Sequence, residues 1–188
     1  MEFYTETRLQ NWISKINETK VSEDDPSSLL VFDQMLEDVI IACFSIINAV
    51  RDREIKKNDA LRELEKMKNM FKQDFRFDSD LKQEIFDLTL ESIKAVLASF
   101  EYYLEGKTSK KSVKELLKEA IENEKKGRLD LAFDAIARVG VKVIKGEKLP
   151  ELNLTDGIVL NWVDGIDAIS MIVELSKIDA SQENEAEE

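Results

Sequence analysis

Five carboxylates have the type and spacing to do chemistry together. Asp33, Glu37 and Asp38 lie in LLVFDQMLEDV, and Asp164 and Asp167 lie in WVDGID. In a helix, residues three or four apart share a face, so each group forms the polar edge of its own helix. If the two edges meet, their oxygens suit Mg²⁺ or Mn²⁺, hard cations that take carboxylate ligands. The chemistry would then be that of a divalent-metal-dependent hydrolase. The competing reading has both edges facing water, because Asp and Glu are rarely buried without a partner. That second reading has the greater weight, so neither a catalytic residue nor a cofactor is assigned.

The other usual catalytic groups are scarce. The chain contains no histidine, which removes Ser-His and Cys-His nucleophile systems and the commonest metal ligand. Its single cysteine, Cys43, falls inside an apolar run, where it behaves as a small hydrophobe. One cysteine makes no internal disulfide, and the N-terminus lacks the pattern of a signal peptide. These features predict a cytoplasmic protein.

A second cluster is basic. Lys110, Lys111, Lys114 and Lys118 crowd one segment, with Lys125, Lys126 and Arg128 close behind. Glu115, Glu119, Glu122 and Glu124 are interleaved with them, which favours ion pairs along a solvated helix. The net charge is -12, and an acidic body repels phosphate backbones. Nucleic acid is therefore an unfavoured partner, and an RNA- or translation-associated role ranks low. The lysines are better read as a protein-interaction face.

The elements that must position these groups are all helical. Only two prolines and six glycines interrupt 188 residues, and no alternating strand pattern occurs. A first helix spans 5–18, with Thr5 as its cap and Leu9, Trp12, Ile13 and Ile16 on one side. Asp25-Pro26 predicts the start of a second helix that runs to about residue 53. Its run LLVFDQMLEDVIIACFSIINAV is apolar nearly all round, as befits the middle of a bundle. It is too short and too closely flanked by charge to span a bilayer.

Asn58 is placed to cap a third helix. The loop that follows holds Phe75 and Phe77, which should tuck beneath the hairpin. A fourth helix occupies 81–104, with Asp80 and Gln83 resembling a capping box. It carries a main apolar stripe and a second one of Ile85, Leu88, Val96 and Tyr103. Gly106 stops it. A fifth helix opens at Ser109 and ends at Gly127, and a sixth ends at Gly146. The seventh begins beyond Pro150, capped by Asn153 or Thr155, and contains Gly165. That glycine predicts close packing against a bulky neighbour such as Phe32 or Phe44. The last residues, SQENEAEE, bury nothing, so 179–188 reads as a disordered acidic tail behind one helical domain, 1–178.

Two segments, EFYTETRLQNWISKI and LLVFDQMLEDVIIACFSIINAV, resemble a family of short, acidic, all-helical archaeal proteins of unknown function. The likeness covers the first third of the chain. It implies an archaeal cytoplasmic protein and brings no catalytic residues with it. The expectation is an all-α bundle of about seven helices around a central hydrophobic helix. Function is read as protein interaction or scaffolding with self-association, because a second apolar stripe needs either another helix or another chain to cover it.

Overall fold

The computed structural model describes residues 2–151 and 156–186, and the side chains of the last helix as far as residue 177. The tail 179–188 lies beyond those side chains, and Asn153 and Thr155 lie outside the described residues. The chain winds into seven helices: α1 (Glu6–Glu18), α2 (Leu30–Arg51), α3 (Lys57–Met70), α4 (Asp80–Glu105), α5 (Val113–Lys125), α6 (Leu129–Ile144) and α7 (Ile158–Ala186). No strand occurs among the described residues. One apolar core runs through all seven helices.

Local sequence explains most of the helix ends. The Thr5 hydroxyl accepts from the Arg8 amide and closes the start of α1. Asp25 and Pro26 first form a single 3₁₀ turn, Pro26–Leu29, and α2 follows at Leu30. The predicted start of α2 was thus one tight turn early. Ser79, rather than Asp80, caps α4. Gln83 reaches back instead to the loop, accepting from the Phe77 amide and donating to the Phe75 carbonyl. This holds both phenylalanines against Phe86, at centroid distances of 5.2 and 4.7 Å. Ser112, not Ser109, opens α5 through a capping box with Glu115. Gly106 and Gly127 end their helices with positive φ, a conformation that costs other residues a steric clash.

Two helices share the middle. α2 packs against α1, α3, α4 and α7, and α4 packs against α2, α3, α6 and α7. α2, α4 and α7 run in the same direction. Phe44 of α2 meets Phe100 of α4 edge-on at 4.9 Å, and the early turns of all three helices line one cleft while residues further along each line another.

Small residues let these helices come close. A Cβ on Gly165 of α7 would fall 2.4 Å from the Ser92 carbonyl oxygen of α4. A Cβ on Gly140 of α6 would meet the Ser99 side chain, again on α4. The residue opposite Gly165 is therefore the backbone of a serine, not Phe32 or Phe44. The Ser92 hydroxyl completes the seam by donating to the Asn161 carbonyl at 2.8 Å.

Two polar links anchor the outer elements. The Lys82 ammonium, 3% exposed, donates to the Asn17 carbonyl at the end of α1 and pairs with Asp78. The Glu124 carboxylate of α5 accepts from the Val159 amide at 3.0 Å and so caps α7 from another helix.

Candidate functional site

Four of the five singled-out carboxylates line one cleft. Asp33 and Glu37 come from the first turns of α2, and Asp164 and Asp167 from the first turns of α7. The parallel course of the two helices brings these edges together across the start of α4. The cleft encloses about 390 Å³, and Leu36, Ile85, Leu88, Ala168 and Met171 supply its apolar lining. Thr89, Ser92 and Asn161 add neutral polar groups.

Asp38 does not join them. Its carboxylate accepts from Arg8 Nε at 2.8 Å, from Arg8 Nη2 at 2.5 Å and from Trp12 Nε1 at 2.7 Å. Arg8 also donates to the Phe3 carbonyl and lies over the Tyr4 ring. Asp38 is thus the bolt that holds α1 on α2. Sequence spacing alone could not reveal this, because α1 and its arginine approach α2 only in the folded chain.

The electrostatics of the cleft are those of uncompensated negative charge. Asp33, Glu37, Asp164 and Asp167 form no ion pair and no side-chain hydrogen bond among the described residues. Partial burial pushes the Asp33 carboxyl above the ordinary carboxylate range. Burial does the same to Asp164, with the neighbouring Asp167 charge adding to it. Other carboxylates have partners: Glu101 pairs with Lys68, and Asp134 with Arg138. Yet among the described residues no three acidic, histidine or cysteine groups come near enough to hold one metal ion. A divalent cation needs several oxygens at once, within roughly 2.0–2.6 Å. The cleft presents spread negative charge around an apolar floor.

The chain belongs to the DUF2150 family. The family model, described as an uncharacterized protein conserved in archaea, matches residues 2–181. The match extends well past the first third, through the cleft and the lysine segment. No curated protein and no solved structure matches this DUF2150 chain. No helix among its described residues is long and apolar enough to cross a membrane.

The lysine segment is exposed and partly neutralised. Lys111 pairs with Glu119 at 2.6 Å, and Lys118 approaches Glu122 at 3.8 Å. Lys110 and Lys114 form no ion pair among the described residues. Ala120 and Ala132 are fully buried where α5 and α6 pack as a hairpin.

The apolar surface was only half foreseen. Of the second stripe on α4, Val96 is buried, whereas Leu88 remains 43% exposed. α7 carries a stripe that sequence reading missed: Ala168, Met171, Ile172 and Leu175, at the i, i+3, i+4, i+7 spacing of a helix docking face. Met171 is 58% and Leu175 61% exposed. Its signal lay in that spacing, hidden beside the stronger buried stripe of Val159, Trp162, Ile166 and Ile169. A second groove follows along the seam, about 590 Å³, where Ile41, Phe44, Ile47, Tyr103, Ile144 and Ile172 meet.

Proposed function

We propose that this protein is a non-enzymatic interaction or scaffolding module that self-associates through the seam between α2 and α7. The observation that carries the reading is the exposed pair Met171 and Leu175 on α7, flanking the half-buried Ile172, which lines one groove with the exposed Ile41. Apolar side chains gathered along a groove lose free energy by leaving water, at about 25 cal/mol per Å². Exposed apolar residues that share one helix face, as Met171 and Leu175 do, suit a contact site. A cytoplasmic setting suits the reading, with a reduced Cys43 held inside the core.

Sedimentation velocity over a range of concentrations tests it. The wild-type chain should form a reversible oligomer, and Met171→Lys combined with Leu175→Lys should shift it to monomer without loss of helicity. A wild-type chain that stays monomeric at every concentration rejects self-association. The metal-dependent hydrolase is tested in parallel by thermal shift with Mg²⁺ and Mn²⁺. A stabilisation abolished by Asp33→Asn and Asp164→Asn would replace the scaffold reading.

A further inference from the structure

The acidic cleft has its opposite in residues 107–128, where eight lysines and arginines outnumber four interleaved glutamates. The cleft combines Asp33, Glu37, Asp164 and Asp167, none of them ion-paired among the described residues, with the exposed Leu88 and Met171. The α5–α6 hairpin places Lys114 and Lys118 one helical turn apart, Lys114 without an ion pair among the described residues and Lys118 only 3.8 Å from Glu122, with the exposed Leu131 beside Lys118. Charge spread over several carboxylates matches charge spread over several ammonium groups better than it matches a point ion. Opposed patches of this kind steer association and fix its register.

We propose that the acid-rimmed cleft of one copy receives the lysine-bearing α5–α6 hairpin of a second copy. This rests on the self-association reading and supplies its specificity: the seam gives apolar area, and the cleft selects what lies against it. Whether the contact is reciprocal across a twofold axis or runs head to tail, each cleft meets one hairpin.

Charge exchange between full-length variants tests the pairing. Asp33→Lys with Asp164→Lys makes one variant, and Lys114→Glu with Lys118→Glu makes the other. Each alone should associate at least about tenfold more weakly than wild type, because like charges then face each other. An equimolar mixture of the two should associate again, since reversed cleft and reversed hairpin attract. Wild-type association should also weaken as salt rises from about 0.05 to about 0.5 M. Circular dichroism establishes that both variants remain helical. If either variant alone associates as tightly as wild type, or if the folded mixture stays monomeric, the pairing is overturned while self-association through the seam stands. A wild-type chain that never associates overturns both.

Discussion

Gly165 of α7 lies so near Ser92 of α4 that a Cβ there would stand 2.4 Å from the serine carbonyl oxygen and 3.1 Å from its Cα. The obstruction is helix backbone, which cannot rotate away as a side chain can. Gly165→Ala must therefore push α7 off α4. Overpacking of this kind costs about 1–3 kcal/mol, more than the roughly 1 kcal/mol that alanine gains over glycine in a helix. Urea unfolding should show net destabilisation. A more stable variant would mean that the two helices do not touch at this point.

The Asp38 network predicts a different loss. Asp38→Ala leaves the Arg8 guanidinium and the Trp12 N–H without their shared acceptor. Hydrogen bonds to a charged group are worth about 1.5–3 kcal/mol each, and these are partly exposed, so a total near 2 kcal/mol is expected. The loss should be local to α1: Trp12 fluorescence should respond before the global helical signal. Coincident transitions by both probes would place α1 within the main cooperative unit.

Tyr4 provides the converse case. Its hydroxyl is buried with no hydrogen-bond partner among the described residues, and burial drives its ionisation far above the usual range. Tyr4→Phe removes the unsatisfied oxygen while keeping the ring against Phe71. The variant should be as stable as wild type or more so, by up to about 1 kcal/mol. A clear loss of stability in urea unfolding would reveal a partner for that oxygen.

The helices were legible because their signals are local. Thr5, Gly106 and Gly127 act within a turn or two of their own positions, and apolar spacing shows which face turns inward. What escaped was long-range. Nothing near Asp38 announces Arg8, which is 30 residues away. Nothing in KEAIENE marks Glu124 as the cap of a helix that begins at Ile158. The meeting of Asp33 and Glu37 with Asp164 and Asp167 required a parallel course for α2 and α7. Spacing fixes each edge but not the relative direction of two helices separated by four others. Gly165 pointed correctly to a close approach, but glycine does not encode which surface approaches it.

The two kinds of carboxylate should respond to pH with opposite sign. Burial raises Asp134, but hydrogen bonds from Arg138 and Tyr102 outweigh it, and the group lies below its ordinary value. Its contribution to stability is present above the unfolded value, near 3.9, and fades as pH falls through the lower folded value. Asp164 is raised by burial and by Asp167, so the folded chain holds its proton more tightly than the unfolded chain does. It is free of penalty below the unfolded value and acquires one as pH rises through the folded value. Asp164→Asn should therefore stabilise the monomer at pH 7, with the gain shrinking toward pH 3. Solvent still reaches this carboxylate, so the gain is about 0.5 kcal/mol or less. Asp134→Asn should destabilise at pH 7, with its deficit shrinking over the same descent. Urea midpoints at neutral and acid pH, measured below the association range, decide the matter. A deficit for Asp164→Asn at pH 7 would show that a cation of the chain itself already satisfies the cleft, and the acidic rim would then have no charge to offer a second copy.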